Sequence, residues 1–295
     1  MNTSVSTNKA GALYSFLALL TVSVWGVTFV STKILLGQGM SPTDIFISRF
    51  AIAYICIIFF SHSRLFASSV RDEMLLALAG LTGGSLYFLA ENSALGITFA
   101  SNVSLLICMA PVFTMILGSA VLKDKIKPIA WGGSLLALAG VAAVVLNGSL
   151  NLGINPLGDF LTLTAALSWA VYTLLVKRLN STYSNMFITR KVFFYGIVTA
   201  AAYAALSGVG IRLPLSNPGP VIANLLFLGV GASFACYMIW NVVVKALGPE
   251  KASNYIYLNP LVTILASSVI LGEQLTPWTL IGAAAIITGV YLTSK

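Results

Sequence analysis

The apolar runs of this sequence hold few groups able to bind a ligand or carry a proton, and those few define the chemistry open to it. Glu91 is the one carboxylate set well inside such a run. It lies four residues before the run ends, which at 1.5 Å per residue is roughly 6 Å below a membrane boundary. An ionisable group at that depth is costly and faces a cavity or a partner. Glu91 has three readings: a cation-binding or proton-exchanging carboxylate near an outer gate, a structural partner of Arg49, or a side chain reaching to the interface. Arg49 and Arg190 stand in matching segments, Phe46-Ile47-Ser48-Arg49 and Phe187-Ile188-Thr189-Arg190. A structural or gating role shared by both, such as binding backbone carbonyls at a helix end, is expected ahead of substrate contact. A plain basic anchor beside Lys191 is the alternative for Arg190.

The other substrate-binding candidates are aromatic and amide side chains. Trp25 and Trp169 sit near the middle of two apolar runs, Tyr172 comes three residues after Trp169, and Tyr87 stands one turn before Glu91. Trp240 and Asn241 are adjacent, and Asn102, Asn254, Tyr255, Tyr257 and Asn259 add further amide and hydroxyl groups. Such groups hold a polar substrate without a fixed charge, and aromatic faces attract an ammonium. Interface anchoring or a bridge between helices is the alternative for each. Trp25, Trp169 and Asn259, nearer the midplane, are expected at a cavity.

Pro111 and Pro260 fall inside apolar runs, where each removes a donor and kinks a helix, and such kinks suit helices that bend as gates exchange. Gly133 and Gly140 are seven residues apart, as are Gly282 and Gly289, so each pair lies on one helix face and permits close packing, within the chain or in a dimer. No phosphate-cradling glycine loop is present, the single His62 lies in a loop, and no His, Cys and carboxylate set has metal spacing. These features point to no enzyme, cofactor or metal. Energy for any transport must come from an ion gradient or from the substrate's own gradient.

These residues recur in a repeat. Sliding the sequence by 149 positions lays Pro111 on Pro260, Asp124 on Glu273, Gly133 on Gly282 and Gly140 on Gly289. A slide of 152 superposes Ala100-Ser101-Asn102 on Ala252-Ser253-Asn254 and places Val243 at the position of Glu91. Slides of 144 and 141 pair Trp25 with Trp169 and Arg49 with Arg190. One membrane unit is present twice, with the carboxylate of Glu91 in one copy only.

A chain with 58% hydrophobic and 8% charged residues is not a soluble globule, whose charged share is about 25%. Apolar runs of roughly 20 residues without strand-like alternation require helices that cross a bilayer. The net charge of +8 resides in short loops and helix ends, which makes it a topology signal and not a sign of nucleic acid. Cys56, Cys108 and Cys236 fall within the runs at no paired spacing and read as small apolar residues. The first run is too long for the core of a removed signal peptide and is expected to remain as a helix.

Ten helices are predicted, at about 13–35, 43–60, 74–95, 100–122, 128–146, 157–179, 185–206, 221–247, 252–271 and 277–292. Residues 1–12 form a cytoplasmic tail, 13–147 and 157–293 two five-helix repeats, and 148–156 the linker. With the N-terminus inside, 13 Lys and Arg residues lie on the cytoplasmic side and three, Lys33, Arg49 and Arg212, outside, so both termini are placed in the cytoplasm. Five spans per copy invert the second copy. The expected fold is thus an all-α integral membrane protein with a 5+5 inverted-topology repeat, the architecture of alternating access around a midplane site.

With Trp25-Gly26, the paired Phe-Ile-Ser/Thr-Arg segments and the Pro111/Asp124 and Pro260/Glu273 spacings, the chain resembles the drug/metabolite transporter superfamily in its ten-helix EamA branch. Leu271-Gly272-Glu273-Gln274-Leu275 with Gly282 and Gly289 is the most family-like part, and Lys123-Asp124-Lys125 departs from it by losing the glycine. The resemblance implies a central cavity lined mainly by helices 1, 3, 4, 6, 8 and 9, and export of small metabolites across a bacterial inner membrane. The resulting expectation is a carrier, monomeric or homodimeric in the bilayer, that exports an amino acid or related compound. A proton-coupled exporter of cationic compounds is the alternative, with a coupling proton as additional partner and Glu91 in the cavity. A receptor or assembly subunit without transport is a third reading.

Overall fold

The computed structural model describes residues 2–61, 64–97, 100–122, 127–146, 155–208, 218–271 and 277–293. Asp124, Glu273, His62, most of the linker and most of the 208–220 loop lie outside them, as does the side chain of Asn102. Among the described residues all regular structure is helical.

The helices are α1 Asn2–Gly37, α2 Pro42–Ile58, α3 Val70–Ile97, α4 Ala100–Leu122 in two segments, and α5 Pro128–Leu146. They continue with α6 Pro156–Leu179, α7 Asn185–Ser207, α8 Pro218–Leu247, α9 Pro249–Leu271 in three segments, and α10 Pro277–Thr293. Side-chain caps set several starts earlier than apolar runs suggest. Ser69 accepts from the Asp72 amide, so α3 begins at Val70. Ser41 and Asp44 form a reciprocal capping box ahead of Pro42, and Asn155 caps α6 ahead of Pro156. The first helix runs back to Asn2, where a tail to residue 12 was expected.

Stretches 11–37, 70–97, 156–179 and 218–247 are long and apolar enough to cross a membrane. The outer faces of the rods are apolar too: Phe16, Ile55, Phe160, Val198, Leu206, Val269 and Ile287 are all exposed. A water-soluble protein does not present so large an apolar surface, and lipid is its natural solvent.

Neither proline sits in the middle of an unbroken helix. In α4 the helix stops at Ile107, turns through Cys108 and Met109, and restarts at Ala110, which puts Pro111 in the new first turn. In α9, Tyr255–Leu258 is a 3-10 turn and Pro260 opens the segment Asn259–Leu271. A missing amide and a ring clash end each upstream segment, and the next one restarts where proline is tolerated. The two breaks pack together, with the Cys108 thiol 3.9 Å from the Ile256 carbonyl.

In α3 and α8 the irregularity is a π-helical segment, Leu81–Ser85 and Phe227–Ala235 respectively. Such widened turns leave carbonyls free for other donors. Tyr237 donates its hydroxyl to the Gly83 carbonyl, and Trp25 Nε1 donates to the Ala232 carbonyl at 3.0 Å.

α5 and α10 pack antiparallel through their glycines. A Cβ on Gly133 would lie 2.7 Å from the Gly289 carbonyl oxygen, and one on Gly140 2.7 Å from that of Gly282. The glycine stripe is therefore a contact within the chain. Elsewhere α2 packs on α7 and α8, α3 on α6 and α7, α1 on α8 and α9, and α6 on α4.

Candidate functional site

A partly open cavity of about 30 Å3 lies between these rods. Trp25, Thr28 and Phe29 line it from α1, Arg49 from α2, Tyr87, Phe88 and Glu91 from α3, and Ile107 and Ala110 from α4. Trp169 of α6, Tyr237 of α8, and Ile256 and Asn259 of α9 complete it. The helix set is the one the family resemblance implies, with α2 added through Arg49. Residues flanking the breaks in α4 and α9 border this space, and each π segment ends two residues before a lining side chain, Tyr87 in α3 and Tyr237 in α8.

Local packing fixes each side chain. A Cβ on Gly26 would meet Val262 at 2.7 Å, so α1 presses against α9 and sets Trp25 beside Asn259. Trp25 then stacks edge-on against Trp169 and tilts over Trp240, each at 5.1 Å between centroids. Tyr87 packs on Trp169 at 5.1 Å and donates to Glu91 Oε1 at 3.0 Å.

Arg49 and Glu91 both face the cavity, and among the described residues they form no ion pair within 4 Å. Each is held instead by a neutral neighbour. Arg49 Nε donates to Ser233 Oγ at 2.9 Å, its guanidinium lies 4.3 Å from the Phe88 ring centre, and Glu91 accepts from Tyr87. A charge inside a bilayer costs about 2.5–3.5 kcal/mol on insertion scales, and two kept apart leave their attraction available to a ligand. Two further polar atoms in the wall are buried without a hydrogen-bond partner, Trp169 Nε1 and Asn259 Oδ1. The site thus offers a cation, an N–H donor, a carboxylate and an amide oxygen within an aromatic lining.

Of the residues expected to meet substrate, Trp25, Tyr87, Glu91, Trp169 and Asn259 line this cavity. Tyr172, Trp240 and Asn241 stand behind its wall. Tyr172 donates to Asn241 Oδ1 at 2.8 Å, Asn241 Nδ2 donates to Thr189 Oγ1 at 2.8 Å, and Asn180 Nδ2 donates to the Asn241 carbonyl, tying α6, α7 and α8 together. Trp240 is fully buried against Trp25 and Trp169. Tyr255, in the 3-10 turn of α9, is half-buried in the core and outside the lining.

The two arginines differ despite their matching segments. Arg190 donates to the Ser61 and Arg64 carbonyls beyond the end of α2, the carbonyl-binding role anticipated for both. Arg49 meets no helix end, because the π segment of α8 brings Ser233 to it at cavity level. Nor is Arg190 a plain surface anchor: it is 3% exposed, and its neighbour Lys191 pairs with Glu73. Thr28, Phe29, Phe88 and Tyr237 line the cavity without having been singled out in the sequence. Phe88 lies three residues before Glu91, and that helical spacing was the available signal for it.

Comparison with known proteins finds relatives over nearly the whole chain. The family model for EamA-like transporters matches residues 12–146 and again 156–295. An uncharacterized transporter of Archaeoglobus fulgidus is 29% identical over 282 residues, covering 94% of this chain and 96% of the relative. A Salmonella typhimurium protein described as a probable amino-acid metabolite efflux pump is 30% identical, covering 94% of this chain and 93% of that one. A probable terminal-alkyne amino-acid exporter of Streptantibioticus cattleyicolor is 27% identical over 287 residues, covering 94% of this chain and 92% of that one. One solved crystal structure superposes with a TM-score of 0.73 at 19% identity, over 96% of each chain, and shares the fold. The chain is an integral membrane protein of the EamA-like transporter family, within the drug/metabolite transporter superfamily.

Proposed function

We propose that this transporter exports a zwitterionic metabolite, an amino acid or close relative, through ten spans arranged as two inverted five-helix halves that open the cavity alternately to either face. The observation that carries the substrate class is the separate presentation of Arg49 and Glu91 to one cavity. A carboxylate placed at Arg49 and the Trp169 N–H, with an ammonium at Glu91, Asn259 Oδ1 and the indole faces, would satisfy all of these groups together. The printed descriptions of two relatives, an amino-acid metabolite efflux pump and an amino-acid exporter, point the same way.

The inverted arrangement draws support from the glycine contacts. The slide that lays Gly133 on Gly282 and Gly140 on Gly289 turns the contact Gly133–Gly289 into Gly282–Gly140, which is also made. A contact set that maps onto itself while the paired helices run antiparallel fits a two-fold axis across the helix direction. The pairing of α2 with α8 and of α7 with α3 exchanges in the same way, and the family model matches twice. Side-selective amine labelling tests it: Lys33 and Lys177 should react from opposite faces.

Counterflow in proteoliposomes, screened over amino acids and organic cations, tests the substrate class. Glu91 in the cavity keeps the cationic-compound reading alive, and Arg49 in the same wall opposes it. Uptake of organic cations without amino acids would replace the zwitterion by that alternative. In its proton-coupled form, Glu91→Gln abolishes pH-driven flux. Orientation in a bacterial inner membrane with both termini cytoplasmic rests on loop charge.

A further inference from the structure

At the far end of α3 from the cavity is a second polar cluster that the substrate site does not use. Glu73 and Glu91 are 18 residues apart on this helix, roughly 27 Å along its axis. Glu73 Oε1 accepts from Lys191 Nζ and from the Tyr195 hydroxyl, both on α7, while Glu73 Oε2 accepts from the Ala67 amide at 2.6 Å. Beside it Tyr183 donates to Asp72 at 2.7 Å and accepts from the Ser68 amide at 2.9 Å. The cluster ties the first half of the chain to the second.

Its repeat counterpart carries no charge. The 141 slide puts Phe50 at the position of Lys191 and Tyr54 at that of Tyr195, and the 152 slide that lays Glu91 on Val243 puts Leu225 at that of Glu73. Two inverted halves of identical sequence would favour neither orientation, so a bond present at one end alone biases the equilibrium. The Lys191 side chain is 6% exposed among Phe66, Phe187 and Tyr195, and separating it from Glu73 leaves a buried charge without its partner.

We propose that Glu73, Lys191 and Tyr195 form an ionic latch that must break before the cavity opens toward this end, so that the unloaded carrier rests closed here. The latch rests on the alternating-access reading above, and loop charge places it on the cytoplasmic side. Cargo caught by the minor state open to the cytoplasm must therefore supply the interactions that offset the broken pair, which makes the population of that state depend on ligand.

The test uses full-length protein in nanodiscs with Cys56, Cys108 and Cys236 replaced and counterflow retained. Spin labels at the exposed positions Arg71 and Thr182, near the ends of α3 and α7, report distance by pulsed dipolar spectroscopy. Without ligand the native pair should give one short distance. Glu73→Gln and Lys191→Met should each raise a longer-distance population roughly tenfold, and Tyr195→Phe by less. The charge exchange Glu73→Lys with Lys191→Glu should restore the short distance, which a merely misfolded variant would not do. A single short distance in every latch variant, with wild-type counterflow intact, overturns the latch and leaves the carrier standing. A single distance under all conditions together with no counterflow for any substrate overturns both.

Discussion

The indoles of Trp25 and Trp169 meet edge to face, 5.1 Å apart and 89° between planes, yet only one of the two N–H groups is engaged. Trp25 donates to the π segment of α8, while the carbonyl that the π segment of α3 frees, that of Gly83, accepts from Tyr237 instead. The repeat mates are thus divided in role. Trp25 is fixed by the protein, and Trp169 keeps an unpaired donor that the proposed site gives to the ligand.

Trp169→Phe deletes that donor together with the ring that carries it, so the KM for counterflow should rise about tenfold, and the space left in a buried aromatic cluster should cost some thermal stability. Trp25→Phe deletes the hydrogen bond that the indole gives to the Ala232 carbonyl, and it should lower stability by about 0.5–1.5 kcal/mol or more in detergent unfolding, whatever its effect on KM.

Arg49 and Glu91 are expected to read opposite ends of the cargo. Arg49→Gln should weaken binding of an amino acid by about 10–100-fold, on the basis of roughly 1.5–3 kcal/mol for a charged hydrogen bond. It should leave the affinity for the corresponding methyl ester nearly unchanged. Glu91→Gln should show the reverse, losing the free amino acid and sparing its N-acyl derivative. Binding calorimetry on the four combinations checks the assignment, and equal losses for all ligands would refute it.

The α5–α10 seam has no room for side chains. Gly140→Leu places carbons where the Gly282 carbonyl and the Ala285 side chain stand, within 2.9 Å of a modest Cβ. Overpacking of that kind costs about 1–3 kcal/mol, and the variant should melt several degrees lower in detergent. Gly132→Leu, whose Cβ meets nothing within 4 Å, serves as the control and should melt like the native protein.

Much of this fold was legible because lipid allows few solutions: long apolar runs had to be helices, and paired landmarks such as Gly133 and Gly282 pointed to the proposed repeat, in keeping with a family model that matches twice. The site was legible where a residue's depth decided its exposure to the cavity, as for Trp25, Glu91, Trp169 and Asn259. It was misleading where helix phase decided. Tyr172 and Asn241 have the right chemistry, but their faces turn toward α7 and satisfy each other. Two features had no sequence signal that periodicity could read. The π segments rotate the turns C-terminal to them, carrying Tyr237 into the wall, and they bring Ser233 to Arg49, which separates that residue from its repeat mate Arg190. Helical wheels drawn through α3 and α8 at constant pitch miss that rotation.

The claim that a single chamber serves both faces is tested most directly at Thr28, which lines the cavity and is half-buried. In a background with Cys56, Cys108 and Cys236 replaced, Thr28→Cys should react with a membrane-impermeant thiol reagent added to either side of sealed vesicles. Cytoplasmic-side labelling should increase when an amino-acid substrate is present. Reaction from one face alone, with and without substrate and with the Glu73 to Lys191 pair broken, would contradict the account.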